Sequence, residues 1–200
     1  MKNVIFDLGA VLVEWNPAAI ASSFSDDPDL QSHLINDIYI HQIWSDFDHG
    51  LISETEIQQQ ISEMLAIDTN QAVSLIEHTK QSLKLIPQML EVLELCKKQQ
   101  IPSYCLSNIS PSFLQHLRQR YSFFELFDGI VTSGEEHIAK PDRRIFEIML
   151  QRYDLNPRHS LFIDDSPANT ETARSMNIET VTFEASEDCY LQISQWMARV

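Results

Sequence analysis

The sequence predicts an α/β protein, a parallel β-sheet flanked by helices, with a helical subdomain inserted after the first strand. Three observations predict it. Five short apolar runs, "NVIFDL", "PSYCLS", "GIVTS", "SLFIDD" and "ETVTF", have the length and continuity of strands buried on both faces. Helical patterns separate the later runs, and that alternation implies right-handed crossovers in one parallel sheet. Between the first run and the second lie about 70 residues with helical patterning and no strand signal, too many for one crossover helix.

In chain order, "NVIFDL" is the first strand and meets a carboxylate, Asp7, at its carboxyl end. Residues 16–85 form the inserted helical subdomain, and residues 1–15 and 86–200 form the core domain. Within the insertion, Ser53 and Glu56 make a capping box that opens the helix "SETEIQQQISEML". A second helical stretch follows at "TNQAVSLIEHTKQSL". The helix "PQMLEVLELCKKQQ" returns the chain to the core. After the second strand, Ser110 caps a helix with Pro111 at its first position. "KPDRRIFEIMLQRY" sets Ile145, Ile148, Met149 and Tyr153 along one face, with Lys140 just before a proline-started helix. "SPANTETARSMN" starts again on Ser-Pro. Glycine occurs only at positions 9, 50, 129 and 134, so each is a candidate for a special backbone position.

Composition narrows the function. The 200 residues carry 29 acidic and 14 basic side chains, a formal net charge of −15. Such a surface repels nucleic-acid backbones and anionic membranes. A small anionic substrate stays possible because a divalent cation reverses the charge locally. Cys96, Cys105 and Cys189 are odd in number and lie in apolar contexts, so buried free thiols are expected. The start has too few apolar residues for a signal peptide, and no run reaches membrane-span length. A cytoplasmic protein, monomeric or a homodimer, is the expectation.

Ligands of open α/β sheets bind at the carboxyl ends of the strands. Those ends carry Asp7, Ser107 with Asn108, and Asp164 with Asp165; Lys140 lies in a loop between the last two. Singly, each has an ordinary reading: a turn carboxylate, a helix cap, a surface lysine. Together they supply carboxylate, hydroxyl, amide and ammonium, the parts that hold a phosphate beside a hard divalent cation.

The residues also carry a resemblance. "FDLGAVLV", "LSN", "KPDRRIF" and "FIDDSPANTETA" resemble, in order and spacing, the four signature motifs of the haloacid dehalogenase superfamily. The match runs from Val4 to about Ile178, and the inserted helices resemble that superfamily's cap. The nearest likeness is to the sugar-phosphate phosphatases typified by alpha-D-glucose-1-phosphate phosphatase. The resemblance implies a Rossmann-like core with strand order 5-4-1-2-3 and a Mg2+-dependent phosphatase acting on a small phosphorylated metabolite. It implies Asp7 as nucleophile, forming an aspartyl-phosphate. Asp7 and Asp164 would bind the metal through side chains, Gly9 through its carbonyl, and Asp165 directly or through water. Ser107 and Asn108 would hold phosphate oxygens, Lys140 would neutralise charge between nucleophile and phosphate, and Asn169 would order the fourth-motif loop. Independently, a carboxylate attacking a phosphate dianion needs such positive charge around it.

One position departs from the pattern. Most phosphatases of that superfamily have a second aspartate two residues after the nucleophile, as general acid and base; here it is Gly9. A positioned acid/base is worth about 10²–10⁴ in rate. Its loss favours an acidic leaving group, such as an anomeric sugar hydroxyl, or another proton donor, for which Glu14 and His49 are the sequence candidates. It also argues against a phosphomutase. Two further readings stand beside the phosphatase: a catalytically weakened binding or regulatory protein, and a 2-haloacid dehalogenase, which the Asp164–Asp165 pair disfavours. In "HQIWSDFDHGLISE", Trp44 and, just before the insertion, Trp15 are candidates to touch substrate or to pack between cap helices.

Overall fold

A computed structural model describes residues 2–199. Its five strands are β1 (Asn3–Phe6), β2 (Ser103–Ser107), β3 (Gly129–Thr132), β4 (Ser160–Asp164) and β5 (Glu179–Thr182). All pair in parallel in the order β3-β2-β1-β4-β5, the expected order read from the other edge. β1 is central, with Val4 opposite Ser103 on one side and Leu161 on the other.

Side chains alternate between two cores. Val4, Phe6, Cys105, Leu161 and Ile163 join one apolar cluster, continuous with the inserted helices. Ile5, Tyr104, Leu106 and Phe162 join the other. Both faces are therefore covered, which is why the strands read as apolar runs rather than as an alternation. The three cysteines are buried and free.

The insertion folds as α1 (Pro17–Phe24), α2 (Pro28–His33) running into a π-helical turn (Leu34–Tyr39), α3 (Gln42–Asp48), α4 (Glu54–Leu65) and α5 (Thr69–Ser82). Ser53 and Glu56 make the expected capping box, and Asp68 with Gln71 makes a second at the start of α5. The two chain crossings beneath these helices run side by side: Glu14 N–H donates to the Lys84 carbonyl and Ile86 N–H to the Leu12 carbonyl.

The remaining helices are α6 (Pro87–Lys98), α7 (Pro111–Arg120), α8 (Ser133–Glu136), α9 (Arg143–Arg152), α10 (Pro167–Ser175) and α11 (Glu187–Ala198). Ser110 caps α7 through the Phe113 N–H. Pro141 does not start α9, contrary to expectation; Asp142 caps that helix through the Arg144 N–H and Arg143 is its first residue. Ile145 and Met149 of α9 are buried as expected, but Phe146 is their third partner, while Ile148 and Tyr153 lie half-buried at the margin. No helix among the described residues is long and apolar enough to cross a membrane.

Candidate active site

The carboxyl ends of β1, β2 and β4 converge on one buried ion cluster. Lys140, 4% exposed, is its centre. Its ammonium lies 2.9 Å from Asp7 Oδ1 and 2.6 Å from Asp164 Oδ2, and donates to the Leu106 carbonyl at 2.8 Å. An ammonium has three N–H bonds, and all three are taken. Lys140 therefore neutralises the acids from behind. Burial alone would lower its pKa, but the Asp7 and Asp164 charges outweigh that and hold it above the ordinary lysine value.

Asp7 is 7% exposed and receives the Leu8 N–H at 2.7 Å. Burial pushes its carboxyl well above the usual range, Lys140 draws it down, and Asp164 adds to the rise; Ser107, at the end of β2, favours the ionised form. Asp164 is fully buried. Besides Lys140 it accepts from the Ser166 N–H at 2.8 Å and from Asn169 Nδ2 at 3.0 and 3.1 Å, so Asn169 does order this loop. Asp165 is the acid of the pair that faces the cavity beside Asp7.

Asn108 has a second task besides lining the cavity. Its side-chain amide donates to the Lys140 carbonyl and accepts from the Lys140 N–H, both at 2.8 Å. That two-way bond fixes the lysine's backbone and leaves the amide a second N–H. Asn108 thus positions Lys140, and it lines the cavity beside Ser107.

Above the cluster lies a cavity of about 250 Å3, bounded by Asp7, Gly9, Ser107, Asn108 and Asp165 at its floor. Its walls are apolar: Val13, Trp15, Trp44, Leu83, Phe113 and Leu117. Trp15 stacks on Trp44 at 5.6 Å between centroids, and Trp44 meets Phe113 edge-on at 5.7 Å. Both tryptophans thus pack in an aromatic cluster and still line the cavity.

The two sequence candidates for a proton donor lie elsewhere. Glu14 is exposed and lines a separate cleft with Asn16 and His78. His49 turns its Nδ1–H to the Ser45 carbonyl at 2.5 Å and lines an outer groove. The acid that reaches the cavity from the cap is Asp48, which sequence reasoning missed. One signal was available: a carboxylate in the last turn of a helix opposes the helix dipole, so its presence there asks for another explanation.

Asp7, Asp164 and Asp165 offer oxygens within 4.8 Å of one another. Three carboxylates around one ammonium leave surplus negative charge, and hard oxygen donors suit Mg2+. The residues present fit such an ion.

Comparison with known proteins agrees with this geometry. The model of the family described as haloacid dehalogenase-like hydrolase matches residues 4–183. The sesquiterpene phosphatase astK of Aspergillus oryzae is 26% identical over 177 residues, 88% of this chain and 87% of that protein. Drimenol cyclase drtB of Aspergillus calidoustus is 23% identical over 197 residues, 97% of this chain but 36% of its own length. The haloacid dehalogenase family enzyme bt-2542 of Bacteroides thetaiotaomicron, crystallised with magnesium and inorganic phosphate, superposes with a TM-score of 0.77 at 24% identity, over 94% of this chain and 96% of that one. The strand order, the cluster at the sheet's carboxyl edge and the match over most of the chain place this protein in the haloacid dehalogenase-like hydrolase family.

Proposed function

We propose that the protein is a Mg2+-dependent phosphomonoester hydrolase working through an aspartyl-phosphate on Asp7. The observation that carries this is the Asp7–Lys140–Asp164 cluster beneath a cavity floored by Asp7, Ser107 and Asp165. Asp7 is held by the Leu8 N–H and Lys140 with one oxygen engaged, and it faces the cavity. Asp7, Asp164, Asp165 and the Gly9 carbonyl would hold the ion, with Asp164 also bracing Lys140. When bound, the ion offsets the repulsion between Asp7 and a phosphate dianion. Ser107 hydrogen-bonds the phosphate, and Lys140 stabilises the ionised Asp7 that attacks phosphorus.

The sequence favours a sugar phosphate, as in the glucose-1-phosphate phosphatase branch. The cavity walls support a different alcohol. Sugar hydroxyls lose water on entering and need polar partners in return; beyond the floor, these walls offer Asp48 and the indole N–H groups of Trp15 and Trp44, few for a hexose. A compact apolar alcohol fits Trp15, Trp44, Phe113 and Leu117 better. The likeness to a sesquiterpene phosphatase points the same way.

Phosphate release from short prenyl and alkyl monophosphates, compared with hexose phosphates, tests both parts. The expected result is Mg2+-dependent release with a higher kcat/KM on the apolar esters. Release that survives metal removal overturns the mechanism, and a preference for hexose phosphates overturns the substrate class.

A further inference from the structure

Hydrolysis of an alkyl phosphate needs a group that the cluster does not contain. The departing alcohol must receive a proton, and the attacking water must lose one. Position 9 provides no carboxylate, although the structure has room for one: a Cβ at Gly9 would meet only Trp15 Cβ at 3.6 Å and Trp15 Cγ at 3.9 Å.

We infer that Asp48, delivered from the cap, is the general acid and base of this hydrolase. The inference rests on the phosphatase reading and adds to it the residue that moves the proton. Asp48 lines the same cavity as Asp7, Gly9 and Ser107. It has no ion-pair partner among the described residues. It ends α3, where the helix dipole disfavours a negative charge, so helix stability does not account for it.

Its position is fixed by the core. Ser133 Oγ accepts the Ile109 N–H at 2.9 Å and donates to the Asp48 carbonyl at 2.5 Å. His137 Nδ1–H donates to the next carbonyl, that of His49, at 2.9 Å. Gly50 then turns the chain at φ +67°, pressed so close to Gly134 that a Cβ would stand 2.5 Å from its carbonyl oxygen. The segments after β2 and β3 thus hold the Asp48 backbone, and its side chain lines the cavity that Ser107 also lines.

The environment favours the protonated form. Burial raises the Asp48 carboxyl to about 8, the Ser110 N–H draws it partly back, and the charge of Asp7 across the cavity adds to the rise. The nearby imidazoles do not oppose this, since His49 and His137 are turned to the Ser45 and His49 carbonyls.

The steps balance. An Asp7 oxygen bonds to phosphorus as the phosphorus–oxygen bond to the alcohol breaks; the leaving oxygen keeps the electron pair and takes the Asp48 proton. Water then bonds to phosphorus as the Asp7–phosphorus bond breaks and returns its pair to Asp7. The water proton goes to Asp48, which is thereby restored.

The test compares an alkyl phosphate with 4-nitrophenyl phosphate, whose phenol leaves without a proton. Asp48→Asn is expected to lose about 10²–10⁴-fold on the alkyl ester. On the nitrophenyl ester it should give a nitrophenol burst of one per enzyme and then stall as phosphoenzyme. Adding Gly9→Asp to Asp48→Asn should restore part of the alkyl activity. In the wild type, kcat/KM on the alkyl ester should fall above about pH 8, while nitrophenol formation persists. Equal loss of the first turnover on both esters in Asp48→Asn, with no nitrophenol burst, or identical pH profiles of kcat/KM in the wild type, would overturn the role of Asp48. A nitrophenol burst from Asp7→Asn would instead overturn the aspartyl-phosphate reading itself.

Discussion

Lys140→Met removes the charge at the centre of the cluster and nearly preserves the side chain's length. Its side chain is 1% exposed, and the ammonium serves Asp7 at 2.9 Å, Asp164 at 2.6 Å and the Leu106 carbonyl at 2.8 Å. Deleting one partner of a buried ion pair costs about 3–5 kcal/mol, because the other charge is left uncompensated. For a chain of this size that corresponds to about 6–20 °C in melting temperature. The cost should depend on pH. Burial already holds Asp7 above the ordinary carboxylate range, and the variant loses the ammonium that lowers it. The folded variant then binds more protons than its unfolded chain. Its stability is fullest below the unfolded carboxylate value of about 4 and is lost as pH rises toward the folded value. Urea melts in EDTA at pH 5.5 and pH 8 measure this, and the deficit should be larger at pH 8. A deficit below about 1 kcal/mol at both pH values, typical of exposed pairs, would refute the reasoning.

Gly50→Ala places a Cβ against the Gly134 carbonyl at a positive φ; a loss of about 1–3 kcal/mol in chemical denaturation and weaker alkyl phosphatase activity are expected. A variant as stable and active as wild type would show that this contact does not set Asp48. Asp165→Asn changes an acid at the cavity mouth, so its melting curve should stay close to wild type while the Mg2+ concentration for half-maximal activity rises at least severalfold; an unchanged Mg2+ titration would remove Asp165 from the ligand set. Phe162→Ala empties a fully buried site where Phe146 packs edge-on at 5.4 Å, and about 3–5 kcal/mol should be lost in urea. A loss under 1 kcal/mol, roughly the scale of a surface change, would mean the second core collapses around the vacancy.

Local signals made much of the architecture legible. Apolar runs marked all five strands; the three central ones are buried on both faces, while β3 and β5 are edges that the run length still revealed. Ser110 and Ser53 announced their helices by short-range capping, which depends on three or four consecutive residues. Asp7, Ser107, Lys140, Asp164 and Asp165 were named because motif order and strand ends locate them without knowledge of packing. Other features depended on orientation, which sequence spacing does not encode. Asn108 sits beside Ser107, yet its amide turns to the Lys140 backbone. Asp48 and His49 are adjacent, but α3 ends so that the carboxylate enters the cavity and the imidazole turns outward. A histidine near pH 7 draws attention as a proton carrier; an aspartate does so only once its burial is known. The apolar walls were hidden for the same reason, being assembled from segments scattered between Val13 and Leu117.

The paired crossings under the cap bear on how the chain folds. β1 and β2 are neighbours in the sheet, yet Val4 and its partner Ser103 bracket the whole helical insertion. Val13 meets Leu85 in an antiparallel bridge that closes the insertion on itself. Once that bridge forms, the loop separating the two strands shrinks from ~100 to ~30 residues, lowering the entropy of closing it by about 1 kcal/mol. Helices assemble from near neighbours and do so early, whereas parallel strands wait for distant partners. The insertion is therefore a shortcut for the chain: once it has closed, β1 and β2 are within reach of each other, and the sheet edge that carries Asp7 and Ser107 can be completed beneath it.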